Sequence, residues 1–517
     1  MPELMENILN HLNKDVYSLY SCALVSRHWC KISIPILWRD PFSFDEKSIF
    51  ISNYFSSLDE EEKYMLKEFE IIFDFPNTLF HYASFLKILN LFSLEEKVKQ
   101  WISLQFFNSQ RNIDILKEDI VNLLFKLFVE SGANLSKLEF YVSKFIIKPE
   151  VFYSLGQNMQ FFSKLQDFVI STEESGSDLY VIDEDITLLK ILAKKATKIS
   201  TLSFDSFDYM CRPRLCSALV NIIKSQEHLK RFSLSCEEGL QSELHGVVSA
   251  LKSQSESLQE ICIHNCAYSN EFEVLMDCKK LEIFRILYCE EEEKLLKILN
   301  NDLCKISTLD ISSYPIDASI ILQILKKSGS LLKRLKLDSE DQEICSQSLL
   351  IETLMSSCPN LTYLYISYIE LSSQLIKLIG NLQNLQFLTL LWIDDGSDEI
   401  AKTHVTRLAK ILPSTLEYLD WGNVRSNSYL DILIDHCDAP LKKLLFSIDC
   451  DYEKTIQALI GFCVRKKSLN YVNLFKYVYG FRYVSGYHIS TTVLNDLKKD
   501  LEGYAELVPY RHIVVDC

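Results

Sequence analysis

The motif LxxLxL, with Ile, Val, Phe or Trp accepted in place of Leu, recurs thirteen times between residues 135 and 474. It opens at Leu135-Leu138-Phe140 and passes through Leu229-Phe232-Leu234, Ile306-Leu309-Ile311 and Leu361-Leu364-Ile366. It closes at Leu469-Val472-Leu474. Steps of 23 to 34 residues, about 28 on average, separate the copies. Positions 4 and 6 of each copy point to one face of a short strand, because side chains alternate along a strand. Between copies lie helical patterns such as Ile321-Leu322-Ile324-Leu325 and Leu375-Ile376-Leu378-Ile379. One strand and one helix cannot bury their apolar faces alone, whereas stacked copies can. The 517 residues therefore read as an array that grows by adding units, rather than the three or four separate domains their number would otherwise suggest.

A period of ~20–29 residues with this signature resembles that of leucine-rich repeats. Position 9 of such a repeat commonly holds Asn or Cys. Cys266 and Cys289 occupy it in the copies that start at Leu258 and Leu281. Cys278 and Cys358 stand three residues before a copy, and Cys437 four before. The chain here resembles the cysteine-containing subclass, most clearly in Cys358-Pro359-Asn360-Leu361-Thr362-Tyr363-Leu364. The resemblance implies an α/β solenoid, a leucine-rich-repeat horseshoe with parallel strands on the concave face and helices on the convex face, over residues 131–475. Only 13 residues are glycine. Helix-rich repeats need few turns with positive φ, and neither GxGxxG nor GxxxxGK[ST] occurs to cradle a phosphate.

The first forty residues are of another kind. Leu4, Ile8 and Leu12 stand four apart with Met5 and Leu9 beside them, an amphipathic helix. A second helical stretch covers Val16 to Ala23. So short a piece buries too little to stand alone, so its apolar faces must cover something else: the end of the solenoid, or another protein. Pro2-Glu3, Ile8-Leu9-Asn10-His11-Leu12, Leu24-Val25-Ser26-Arg27-His28-Trp29 and Leu37-Trp38 together resemble the F-box. Met1 replaces the usual Leu before the proline, and Asp15-Val16 replaces the commoner Asp-Leu. The resemblance implies a small three-helix module over 1–40 that binds a Skp-type adaptor. Pro2, Leu4, Ile8, Leu9, Leu12, Leu24, Val25, Trp29 and Trp38 would lie at that contact or support it.

Residues 41–130 read as a helical connector or degenerate first repeats, with helices expected over 79–103 and 113–130. Residues 476–517 lack the motif and are expected to cap the array, since an uncapped solenoid exposes its core. The acidic runs Asp59-Glu60-Glu61-Glu62 and Glu290 to Glu293 read as first turns of helices, favoured by the helix dipole. A net charge of −16 disfavours nucleic acid or an anionic membrane as partner. The N-terminus lacks the basic start and apolar core of a secretory signal. Sixteen cysteines in such a chain suggest reduced thiols in the cytoplasm or nucleus.

Chemistry has little foothold. His264 between Cys262 and Cys266 suggests a metal cluster, but Cys262 is position 5 and Cys266 position 9 of one repeat. His436-Cys437 suggests a thiol nucleophile, but its place just before a strand favours a buried structural cysteine. No catalytic residue, cofactor or metal is assigned. The F-box resemblance together with the repeats implies a non-catalytic substrate receptor of a cullin–RING ubiquitin ligase of SCF type. The alternative is a repeat scaffold without ligase assembly. Positions 2, 3 and 5 of the strands face the concave side, and positions 3 and 5 place a target-binding patch at Arg334, Lys336, Tyr363, Tyr365, Phe387 and Tyr418, aromatic and Arg residues being frequent binding hot spots. Equally open is that these rings merely stack across strands and stabilise the sheet.

Overall fold

Each of the thirteen copies is a strand, and each strand begins at position 3 of its motif. A computed structural model describes the chain except for residues 1, 14, 45–46, 69–70, 72–77, 106–112, 143–145, 173–182, 208–212, 237–245, 300–304, 314–315, 317, 340–341, 394–396, 424–428, 448–451, 479–480, 485–496 and 516–517. Two units divide it, Met1–Leu258 and Gln259–Cys517.

The first unit opens with three helices, α1 (Pro2–Asn10), α2 (Val16–Val25) and α3 (Arg27–Leu37). Its strands are β1 (Ile88–Asn90), β2 (Lys137–Tyr141), β3 (Asp167–Ser171), β4 (Thr201–Phe207) and β5 (Arg231–Cys236). They pair in parallel and in chain order, position 3 against position 3: Ile88 with Lys137, Lys137 with Asp167, Asp167 with Thr201, Thr201 with Arg231. Burial alternates as the motif demands, with Leu138 and Phe140 of β2 fully buried between half-exposed neighbours. Such pairing in sequence order, with a helix on most crossovers, is the solenoid of leucine-rich repeats.

β1 extends the array beyond the thirteen copies. It lies on Leu86-Leu89-Leu91, itself an LxxLxL motif with all three side chains buried. Helices Leu91–Gln105 and Ile113–Glu130 fill the interval to the next copy. That interval is 49 residues, well beyond the usual step, and it hides this copy from a search for regular spacing.

A buried amide ladder ties neighbouring units of this array. Gln226 and Gln254 precede their copies by three and four residues, the place that Cys278, Cys358 and Cys437 take later in the chain. The Gln226 side-chain oxygen accepts from Ile199 N–H at 2.9 Å, and that of Gln254 accepts from Leu229 N–H at 3.1 Å. Gln254 Nε2 donates to the carbonyls of Ile223 and Gln226 at 3.1 and 3.0 Å. Gln254→Ala leaves one buried N–H and two buried carbonyls short of this partner. It should cost about 1–3 kcal/mol, seen as a lower urea midpoint of the first unit's unfolding transition.

The second unit holds β6 (Glu260–His264), β7 (Ile283–Leu287), β8 (Thr308–Ser313), β9 (Arg334–Ser339), β10 (Tyr363–Glu370), β11 (Phe387–Ile393), β12 (Tyr418–Asn423), β13 (Lys443–Ser447) and β14 (Tyr471–Val478). These again pair in parallel, with Arg334, Tyr363, Phe387, Tyr418, Lys443 and Tyr471 in register. Consecutive helices, from Ala318–Ser328 to Tyr452–Lys466, pack on one another as the second layer. Close packing leaves no room for a side chain at Gly329, where an added Cβ would lie 2.7 Å from Cys358 Sγ. At the far edge β14 pairs antiparallel with β15 (Phe481–Val484) and parallel with β16 (Glu506–Leu507). Among the described residues no helix is long and apolar enough to cross a membrane.

Candidate docking surfaces

The three N-terminal helices close on a small core of Leu9, Leu19 and Ile36, with Leu12, Cys22, Trp29, Ile32 and Leu37 packed against it. Two side chains set where helices start. Asp15 accepts from Ser18 N–H at 3.0 Å, which together with the Ser18 hydroxyl holds its carboxyl below the usual range, and Ser26 accepts from Trp29 N–H at 3.3 Å. So capped, α2 and α3 turn their mixed faces inward and leave a second apolar set outside. Leu4 and Ile8, four apart on α1, are 62% and 55% exposed. Tyr17, Tyr20 and Leu24 form a stripe along α2 at 76%, 59% and 70%, and exposed Val25 follows. Apolar surface of this extent on so small a piece makes a candidate docking face.

The structure therefore sorts the residues assigned to this contact. Leu4, Ile8, Leu24 and Val25 are exposed; Leu9, Leu12 and Trp29 build the core beneath them. The Pro2 side chain lies outside the described residues. Trp38 faces the other way. Its ring stacks on Tyr82 with centroids 4.1 Å apart and meets Tyr54 edge-on at 5.1 Å. Tyr17 and Tyr20 escaped the motif-based assignment, although their 17-20-24 spacing with Leu24 is a helical face in the sequence itself.

Where the module ends, backbone hydrogen bonds join it to the first repeat strand. The Arg39 carbonyl accepts from both Lys87 N–H at 2.9 Å and Ile88 N–H at 3.1 Å, at the start of β1. Phe42 is buried against Phe50, Tyr54 and Phe128, and Tyr54 packs edge-on against Phe128 at 5.1 Å.

The second surface is the position-3 and position-5 face of β9 to β13. Arg334 lies over the Tyr363 ring at 4.4 Å and Lys336 over Tyr365 at 5.2 Å. Tyr363, Phe387 and Tyr418 follow across successive strands, centroids 6.4 and 6.2 Å apart. Position 5 continues towards β7 as a charge row, with Asp310 buried between Lys336 at 3.8 Å and Arg285 at 3.9 Å, and Arg285 paired with Glu260.

This patch departs from the open target-binding face expected of it. Tyr363 and Tyr418 are each only 1% exposed. Burial alternates in β6, β7 and β9 but is almost continuous in β8 and in β10 to β13. Strands buried on both faces have a second layer over them, and from Tyr365 of β10 to Phe475 of β14 the chain supplies part of one. Val508 and Ile513 sit in one apolar cluster with Leu391, Tyr418, Leu445 and Phe475, against which Tyr365, Phe387, Tyr510 and Val515 pack. The assigned aromatic residues do come together across strands, and Tyr365, Phe387 and Tyr418 do so in the cluster that the C-terminal segment joins.

Eight of the described thiols, Cys358 and Cys437 among them, are buried. Cys266 Sγ donates to the His264 carbonyl at 3.2 Å, and among the described residues no group of His, Cys, Asp and Glu is arranged to hold a metal. Burial pushes the Cys358 thiol up to about 12 and that of Cys437 to about 11. A nucleophilic cysteine needs its thiolate, and burial disfavours that form at Cys437. Iodoacetamide at pH 8 should alkylate exposed Cys345 within minutes and leave Cys358 and Cys437 unmodified until denaturant is added, as peptide mapping would read.

Residues 2–43 match the family model described as F-box-like. Among solved structures, the crystal structure of the Rad7 and Elc1 complex in yeast matches over 81% of this chain and 93% of that one, at 16% identity and a TM-score of 0.41. The TLR13–ssRNA13 complex matches over 67% of this chain and 44% of that one, at 14% identity and a TM-score of 0.31. No curated protein sequence matches the chain.

Proposed function

We propose that this chain is the substrate-recognition subunit of an SCF-type ubiquitin ligase. In this reading α1 to α3 bind a Skp-type adaptor, and through it a cullin–RING ligase, while the leucine-rich repeats bind target proteins. One observation carries the reading: an F-box-like module presents two apolar stripes to solvent while its exit is fixed to the first repeat strand. Cys266 and Cys289, buried at position 9 of their repeats, support the cysteine-containing subclass. The receptor's work is physical. It holds target lysines near a charged conjugating enzyme and so raises their effective concentration, and it needs no nucleophile of its own. Such a subunit acts in the cytoplasm or nucleus, where its thiols stay reduced.

Co-expression with a Skp-type adaptor tests the proposal. A complex that co-elutes in size-exclusion chromatography and recruits a cullin is the expected result. A chain that stays monomeric beside a folded adaptor is instead a repeat scaffold outside ligase assembly.

A further inference from the structure

The C-terminal segment 506–515 is fastened to the sheet at one end and lies across it at the other. β16 continues the sheet through Tyr471–Glu506 and Val472–Leu507 pairs, with Glu506 N–H donating to the Asn470 carbonyl at 2.8 Å. Asn473, at position 5 of β14, donates from Nδ2 to the Val508 carbonyl at 2.5 Å. The chain then turns through exposed Pro509 into a single turn, Tyr510–Ile513, which meets β13 and β14. Val508 and Ile513 insert among Leu391, Tyr418, Leu445 and Phe475, and Ile513 is completely buried. This is a peptide seated in a groove: two backbone pairs for register and apolar anchors for affinity, with Glu506 and His512 left in solvent.

We infer that the face of β10 to β13 is the target-docking surface, and that it takes an apolar segment of the target with anchors spaced like Val508, Ile513 and Val515. The chain's own C-terminal segment is the occupant that such a segment displaces. Two features make it a ligand held in cis rather than part of the core. Beyond the two β16 pairs it forms no strand pairing among the described residues, and one helical turn and its apolar side chains hold it to the sheet. The strands beneath it have their own support, since β10 to β13 are joined by their own ladder and the helices of the second unit pack on one another as a layer. The inference rests on the receptor reading for its biological use, but its test does not involve an adaptor. A chain that binds adaptor with the segment permanently closed loses only this inference, and one that opens without binding adaptor loses only the receptor reading.

The test uses the full chain and a fluorescent peptide of the sequence of residues 505–515. A minor open state is populated on the order of 0.1–10%, so wild type should bind the peptide ~10- to 1,000-fold more weakly than the Val508→Asp/Ile513→Asp variant, in which the segment is released. In wild type, hydrogen–deuterium exchange should show the amides of 510–515 exchanging at least about tenfold faster than those of β11 to β13. Exchange of the segment in step with those strands would overturn the inference. So would a folded variant that binds no peptide, or a variant that loses protection in β11 to β13, because either makes the segment a structural cap.

Discussion

The Ile8→Asp/Leu24→Asp variant is expected to lose a Skp-type adaptor almost completely while melting within a degree or two of wild type. Both side chains are more than half exposed, and substitutions at such sites away from caps and cores usually stay within about 0.5 kcal/mol. In a complex the same carboxylates would be buried in an apolar interface without partners. Hot-spot losses run to at least ~2 kcal/mol each, so the pair should weaken binding roughly 1,000-fold. Isothermal titration against purified adaptor, with a melting curve on the same sample, reads both numbers. Leu9→Asp is the informative contrast. Leu9 is buried at the centre of the helical core, so its loss of binding should come with loss of α1–α3 structure. Leu12 packs on that same core, which makes it a poor site for separating docking from folding. Unchanged adaptor affinity in the Ile8/Leu24 variant would remove the docking face from the proposal.

The repeats were legible because their cause is local and periodic. Positions 4 and 6 must be apolar for a strand to close on its helix, and this need recurs each time the chain passes the sheet, so thirteen strands could be read from the recurring motif. The copy at Leu86 obeys the same chemistry, yet two inserted helices stretch its interval, and a period cannot be recognised from one irregular step. The exposed stripe of the N-terminal module was legible in part, through Leu4, Ile8, Leu24 and Val25. Trp38 was not, because a tryptophan at the end of a motif reads the same whether it meets a partner or Tyr82 of its own chain. The cover over Phe387 and Tyr418 was the least visible feature. Val508, Ile513 and Val515 carry no period, and they meet strands far away in the sequence. Aromatic residues at positions 3 and 5 look alike in a strand open to a target and in one closed by a tail.

Tyr54 is where the fold and the proposed function are most tightly linked, and two substitutions there should act in opposite directions. The ring is fully buried, edge-on to both Trp38 and Phe128 and stacked with Phe42 at 6.3 Å, so it joins the end of α3 to the helix that precedes β2. Tyr54→Ala opens a cavity at that junction and should cost about 3–5 kcal/mol, with early proteolytic cleavage between residues 38 and 48. The phenol oxygen is buried without a hydrogen-bond partner among the described residues, and burial pushes its pKa well above the usual value. Tyr54→Phe keeps the ring contacts and removes that unpaired group, so it should be neutral or stabilise by about 1 kcal/mol. Because α1 to α3 have their own core around Leu9, Leu19 and Ile36, Tyr54→Ala should still bind adaptor where the chain remains folded. Its defect would then be in geometry: a target held on a loosened tether samples the conjugating enzyme less often, since effective concentration depends on the stiffness of the link. Reconstituted ubiquitylation of a target should therefore fall in Tyr54→Ala at saturating adaptor and remain at the wild-type level in Tyr54→Phe. Equal rates in the two variants would mean that the aromatic junction stabilises the chain without orienting it.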